Sequence, residues 1–298
     1  MQWIGVFPAV TTQMKRDGAL DLEATQRGIE RLIDGGVRGL VMMGMVGESS
    51  ALRPEEKLDV LRAAKESARG RVPILSGVAE FTTAQGAEYA KKCEQLRIDG
   101  LMLFPAIGYK CDAGETEAHC RAVAQASGLP ILIYNNPVGY GVDVTPEILQ
   151  RLTDCSTLVA IKEESYDVRR VTDIYNLVGH RYEVVCGVDD LVLESAILGV
   201  TSWVSGMANV YPKESAQLLE FAAAGKWDEA RTLYRILTPI FHLDTKPKLV
   251  QYIKLAAQLK GYGSEWVRAP RLPLSGAERE MVERVVARTE IALAGRAA

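Results

Sequence analysis

The sequence predicts a (β/α)₈ barrel followed by a helical C-terminal region. Three observations carry that expectation. Eight short apolar runs recur within residues 1–225. Most are continuous rather than alternating, as parallel strands covered on both faces read. Helix-forming stretches with start and stop signals separate them, and no G-x-G-x-x-G follows the first run, which counts against a doubly wound open sheet.

In order, the runs are Ile4–Val10, Gly39–Gly44, Pro73–Val78, Leu101–Pro105, Pro130–Asn135, Leu158–Lys162, Tyr182–Cys186 and Ser202–Ser205. Turn residues stand at several ends: Gly35-Gly36, Gly128 before Pro130, and Gly179 before the seventh run. Leu20 to Leu32 repeats apolar residues at helical spacing and stops at the glycine pair. Arg53-Pro54-Glu55-Glu56 opens the next helix, with a proline and acids in the first turn to suit its unpaired N–H groups. Thr82 or Thr83, Thr145-Pro146-Glu147 and Tyr211-Pro212-Lys213-Glu214 read as further starts. Beyond Ala224-Gly225 the stretches Lys226–Leu237, Pro247–Lys260 and Gly276–Ala292 are helical, and no strand-like run follows. The chain thus divides into a barrel over residues 1–225 and a helical region over 226–298 packed on it, with no low-complexity linker between.

Composition excludes several function classes. The chain has 298 residues, 48% of them hydrophobic and 24% charged, with a net charge of −3. That balance argues against long disorder, and the absence of a basic stripe argues against a nucleic-acid binder. No apolar run approaches the ~18–20 residues of a membrane span, and the N-terminus lacks the basic segment and apolar core of a signal peptide. Cys93, Cys111, Cys120, Cys155 and Cys186 are odd in number and form no C-x-x-C, so reduced thiols and a cytoplasmic location are expected. His119, His180 and His242 show no metal-ligand spacing, so no metal is expected.

In such a barrel the chemistry sits at the C-terminal ends of the strands. Lys162 closes the sixth run. Pointed into the barrel mouth and partly desolvated, its amine would titrate below the ordinary value of about 10.4. It would then attack a ketone and form a Schiff base, an electron sink for bond breaking at the adjacent carbon. By position alone, a solvated strand-end lysine is the plainer reading. Tyr134, in Tyr134-Asn135-Asn136-Pro137, closes the fifth run and could pass protons to the Schiff-base carbon or to a leaving hydroxyl. A phenol needs a cation or hydrogen bond nearby to act as a base, and a core tyrosine with a satisfied hydroxyl is the alternative. Gly44-Met45-Val46-Gly47-Glu48-Ser49-Ser50 closes the second run. Its glycines permit a tight turn whose N–H groups would hold a carboxylate, though a plain βα turn reads the same way.

Together these segments resemble the dihydrodipicolinate synthase / N-acetylneuraminate lyase family. The resemblance spans nearly the whole chain and rests on Gly44-x-x-Gly47-Glu48-Ser49, Tyr134-Asn135-x-Pro137, Ile161-Lys162-Glu163, Gly187-x-Asp189-Asp190 and Ala208-Asn209-Val210. It implies a barrel with C-terminal helices, usually a homotetramer, a Schiff base at Lys162, acid–base work by Tyr134, and no metal or organic cofactor. The substrate contacts expected are Met45, Val46, Gly47, Tyr140, Gly187 and Ser205. Glu48 is expected to stabilise its turn, and Asp189-Asp190 to cap the helix that follows them.

Departures from the family pattern narrow the substrate. The synthases carry Thr-Thr, and the sialate lyases Ser-Thr, where this chain has Met45-Val46. The tyrosine that completes the synthases' proton relay falls in Pro105-Ala106-Ile107-Gly108, with Tyr109 offset, and Gly139 stands where they place an arginine. A smaller substrate with one carboxylate fits better than aspartate semialdehyde. His242 to Lys254 and Val138-Gly139-Tyr140-Gly141 resemble a subgroup, the hydroxyproline-pathway deaminases that act on 1-pyrroline-4-hydroxy-2-carboxylate. That resemblance implies a small 2-oxo or 2-imino acid substrate, dehydrated and deaminated to 2,5-dioxopentanoate (2-oxoglutarate semialdehyde) and ammonia. Alternatives are a dehydratase of a 2-keto-3-deoxy sugar acid, a pyruvate-releasing aldolase or synthase-like lyase, and a non-catalytic sensor of 2-oxo acids.

Overall fold

The computed structural model describes residues 3–296. Eight strands appear at the eight apolar runs: β1 (Gly5–Pro8), β2 (Leu40–Met42), β3 (Ile74–Val78), β4 (Gly100–Leu103), β5 (Ile131–Asn135), β6 (Leu158–Glu163), β7 (Glu183–Cys186) and β8 (Ser202–Ser205). All pair in parallel, in the order β1-β8-β7-β6-β5-β4-β3-β2. A parallel bridge between Ala9 and Val41 joins the ends of that order, so the sheet closes on itself as a (β/α)₈ barrel.

Helices fill the intervals between strands: α1 (Leu22–Asp34), α2 (Pro54–Ala68), α3 (Thr83–Gln95), α4 (Ala113–Ala124), α5 (Pro137–Tyr140), α6 (Pro146–Arg151), α7 (Arg169–Val178), α8 (Val192–Ile197) and α9 (Pro212–Ala223). Their starts follow the chemistry of the sequence. Asp21 and Thr82 cap α1 and α3 through side-chain oxygens, and proline enters at the first turn of α2, α6 and α9. The helical region continues with α10 (Trp227–Phe241), α11 (Leu249–Leu259) and α12 (Gly276–Arg296). α10 runs through Pro239, four residues beyond the end expected from the sequence.

One apolar core joins the two regions. Leu233, Leu237, Ile240 and Phe241 of α10 and Ile253 and Leu255 of α11 are fully buried in the same cluster as the barrel strands. The Phe241 ring meets Trp203 of β8 edge-on at 5.3 Å between centroids. The segment between α10 and α11 therefore lies against the barrel, at the end where the strands finish.

Candidate active site

Strand alternation assembles the site. Tyr134 and Lys162 are register partners on β5 and β6. Alternate residues of a strand share a face, so Asn136 accompanies Tyr134 and Glu164 accompanies Lys162. The ladder continues one step past β6, with Glu164 N–H donating to the Asn135 carbonyl at 2.9 Å. Tyr134, Lys162 and Glu164 converge at the barrel mouth on a small cavity of about 30 Å³ lined also by Met45, Val46, Met102, Gly187, Val204, Gly206, Asp244 and Leu249, with Asn136 bonded to Tyr134 and Glu164 beside it.

Glu164 is the hub. Its carboxylate pairs with Lys162 Nζ at 2.6 Å and accepts from the Tyr134 hydroxyl at 2.8 Å and from Asn136 Nδ2 at 2.8 Å. Asn136 Nδ2 also reaches the Tyr134 oxygen at 3.0 Å. Lys162 Nζ sits 4.0 Å from the centre of the Tyr134 ring, and Phe104 and Tyr140 pack edge-on around that ring at 4.8 and 5.7 Å. Sequence reasoning missed Glu164, although the period of two was available to find it.

This hub reverses one expectation. Burial alone drives the Lys162 amine down, as the sequence reading assumed, but the Glu164 charge and hydrogen bond outweigh it. The amine titrates above its ordinary value. The ammonium thus rests beside its own proton acceptor. Tyr134 moves the same way: burial, then the adjacent Glu164 charge, push the phenol well above its usual range. Its hydroxyl donates to Glu164.

The turn after β2 presents bare backbone. Among the described residues no acceptor takes the N–H of Val46 or Gly47. Gly47 itself does not line the cavity. A Cβ there would stand 3.0 Å from the Val10 carbonyl, so the glycine lets the turn pack against β1. Met43 and Glu48 hold left-handed backbones at φ 56° and 55°. Such conformations persist for non-glycine residues only where surroundings fix them. Gly77 makes room for the Met43 carbonyl, which a Cβ at position 77 would approach to 2.3 Å. Glu48 is buried and pairs with Lys254 of α11 at 2.8 Å while accepting from the Arg268 N–H at 3.0 Å. The helical region therefore clamps the turn.

The other expected residues fall in different places. Gly187 faces the cavity, and a Cβ there would come within 2.9 Å of Lys162 Cε, so the glycine keeps the lysine's path clear. Tyr140 is half-buried and covers the Tyr134 ring, outside the cavity lining. Ser205 also lies outside it. Val204 and Gly206 take the inward positions of β8 and its end, and the alternate Ser205 donates to Asp189 at 3.2 Å. Asp189 does not cap the following helix. Its carboxylate accepts from Trp203 Nε1 at 2.9 Å and the Met207 N–H at 2.8 Å, which ties the end of β7 to β8. Asp190 instead meets His242 Nδ1 at 2.7 Å. Tyr109 and Gly139 lie off the cavity, with Tyr109 exposed. No group of side chains among the described residues has the makings of a metal site, and no helix among them is long and apolar enough to cross a membrane.

Comparison with known proteins places this geometry. Residues 2–289 match the model of the Dihydrodipicolinate synthetase family. The 4-hydroxy-tetrahydrodipicolinate synthase of Pelobacter propionicus is 32% identical over 267 residues, covering 89% of this chain and 91% of that one. That of Methanothrix thermoacetophila is 33% identical over 276 residues, covering 91% and 92%. Among solved structures, the 4-hydroxy-tetrahydrodipicolinate synthase of Methylacidiphilum fumariolicum superposes with a TM-score of 0.94 at 28% identity, over 99% of this chain and 98% of that one. The dihydrodipicolinate synthase of Acinetobacter baumannii in complex with pyruvate gives 0.91 at 27%, over 97% and 100%.

Proposed function

The chain belongs to the dihydrodipicolinate synthetase family of lyases, and we propose that within it this enzyme forms a Schiff base at Lys162 and eliminates water from a short 4-hydroxy 2-oxo or 2-imino acid. The substrate proposed is 1-pyrroline-4-hydroxy-2-carboxylate, and the products are 2,5-dioxopentanoate and ammonia.

The observation that carries this reading is the Glu164 carboxylate between Lys162 and Tyr134. Lys162 passes its proton to Glu164 and attacks C2 of the cyclic imine; Glu164 returns that proton to the ring nitrogen as transimination opens the ring, and is a carboxylate again. The Val46 N–H, with the backbone of Met45 beside it, holds the substrate carboxylate. Glu164, facing the new iminium, removes a proton from C3, and Tyr134 and Asn136 hold the acid in place. The resulting enamine expels the 4-hydroxyl as water. Tautomerisation moves the unsaturation to C5, where hydrolysis releases ammonia and forms the aldehyde, and hydrolysis of the imine at C2 frees Lys162 and 2,5-dioxopentanoate. Positioning in a small cavity supplies the remaining advantage.

The named relatives favour a second reading, a synthase that condenses pyruvate with aspartate semialdehyde. Met45, Val46 and Gly139 weigh against it, since they supply neither the hydroxyls nor the arginine that a second carboxylate calls for. An open-chain 2-keto-3-deoxy sugar acid would use the same elimination without releasing ammonia. The assembly proposed is the family's usual homotetramer. The exposed Phe81, Tyr109 and Val138, which follow three consecutive strands, support a subunit contact at the barrel mouth.

Incubation with 1-pyrroline-4-hydroxy-2-carboxylate tests the proposal. Ammonia and 2,5-dioxopentanoate are expected in equal amounts, and both are lost in Lys162→Ala. Turnover retained in that variant overturns the scheme. Aldehyde from the open-chain acid, with no reaction of the cyclic imine, moves the assignment to a sugar-acid dehydratase.

A further inference from the structure

Asp244 enters the catalytic cavity from outside the barrel. It lies in the segment between α10 and α11 and lines the same space as Lys162, Tyr134 and Glu164. Among the described residues no donor binds its carboxylate, which sets it apart from Glu164 and Asp189, both held by hydrogen bonds. The end of β8 is shaped around it. A Cβ on Gly206 would stand 2.1 Å from Asp244 Oδ1, so only glycine leaves that oxygen its place. The cavity thus contains two carboxylates and one ammonium. Glu164 already balances Lys162, and a second, half-buried carboxylate has no partner among the described residues.

We infer that Asp244 is the acid that protonates the departing hydroxyl. This rests on the elimination reading above and assigns its second half. Burial, followed by the charges of Asp189 and Glu164 and more weakly of Asp190, pushes this carboxyl well above its ordinary range, against the pull of Lys162. It therefore holds its proton to higher pH than an ordinary carboxyl, while the Glu164 carboxylate lies against the Lys162 ammonium. In the step itself Glu164 takes the C3 proton, and the electron pair left behind forms the enamine. As the iminium is restored, C3=C4 forms and the C4–O bond breaks. The oxygen takes the Asp244 proton and leaves as water, and Asp244 is left ionised. Nothing is oxidised or reduced. An elimination needs a base on one side and an acid on the other, and the carboxylate paired with Lys162 and the carboxyl that no donor among the described residues binds stand in those two places.

The experiment separates the two halves. Exchange of the methyl protons of pyruvate in deuterium oxide needs the Schiff base and the C3 base but has no leaving group. Elimination from 1-pyrroline-4-hydroxy-2-carboxylate needs all three. Asp244→Asn is expected to keep pyruvate exchange within about threefold of the wild type, while elimination slows by about 10²–10⁴-fold, the usual worth of a general acid. The wild-type elimination rate should fall as pH rises through the titration of Asp244, and the variant should lack that limb. Gly206→Ala, which crowds the carboxyl without removing it, is expected to slow elimination more than exchange. Equal loss of both reactions in Asp244→Asn would mean that the residue only tunes Lys162 and would overturn the inference. So would undiminished elimination. Failure of the wild type to exchange pyruvate would overturn the Schiff-base reading, and exchange without elimination would overturn the elimination reading, each taking the inference with it.

Discussion

A single carboxylate sets the resting state of the catalytic lysine. Burial disfavours the Lys162 ammonium, and Glu164 at 2.6 Å restores it and then overshoots. In Glu164→Gln the burial remains and the largest raising influence is gone, so the amine should titrate lower. The expected result is that trapping of the pyruvate imine by borohydride reaches half its maximum at a lower pH than in the wild type, while C3 exchange slows because its base is missing. An unchanged trapping profile would remove Glu164 from this role. Stability follows the same sign. A lysine with a raised folded value contributes fully below its unfolded value of about 10.5 and loses that contribution as pH climbs through the folded one, so the effect on stability lies on the alkaline side. The lysine and tyrosine were legible in the sequence because strand ends are where a barrel keeps its chemistry. The direction of the lysine's titration was not, because it is set by a residue two positions on whose charge matters only once both side chains share a face.

The elements meet through a contact that no local pattern announces. Glu48 follows β2 and Lys254 sits in α11, 206 residues away, yet they pair at 2.8 Å with both side chains fully buried. Strand runs and helix starts depend on neighbours in sequence, which is why all eight strands and the openings of α2, α3, α6 and α9 could be placed from residues alone. A pair of this span depends on how the helical region folds back, and the same holds for Asp189, which is committed to β8 instead of its own helix. Removing Lys254 leaves Glu48 buried beside Arg271 at 3.9 Å, with the Arg268 N–H as its remaining close donor. Lys254→Met should therefore cost about 3–5 kcal/mol, the usual result of breaking a buried ion pair from one side. Urea unfolding should show this as a lower midpoint with little change in slope. Glu48→Gln combined with Lys254→Met should recover most of the loss, since no charge is then stranded. A double variant as unstable as the single one would show that the pair is needed for the turn's shape rather than its charge.

At the scale of the molecule, the boundary near residue 225 marks a change of pattern from strand-and-helix to helix alone, and the core runs across it. Leu233, Leu237, Ile240, Phe241, Ile253 and Leu255 are fully buried with the barrel residues. At about 1.5–3 kcal/mol for each side chain, their burial is worth roughly 9–18 kcal/mol. That matches the whole net stability of a typical domain, about 5–15 kcal/mol. A chain ending at Gly225 would lose that burial and expose Trp203, whose ring packs on Phe241. It would also lose Lys254, the clamp on the turn proposed to bind carboxylate, and Asp244, the proposed acid. We therefore expect the truncated chain to show no sharp unfolding transition in urea and to have lost the near-ultraviolet dichroism of packed aromatic rings. Adding the missing helices as a separate peptide should not restore the reaction unless they refold onto the barrel. A truncated chain that unfolds cooperatively would make residues 1–225 a domain in their own right, and the burial of those six side chains would then serve the helical region more than the barrel. The same cut in a barrel with a dispensable extension would leave the site intact. Here the extension supplies a wall of the cavity, so stability and chemistry should fail together.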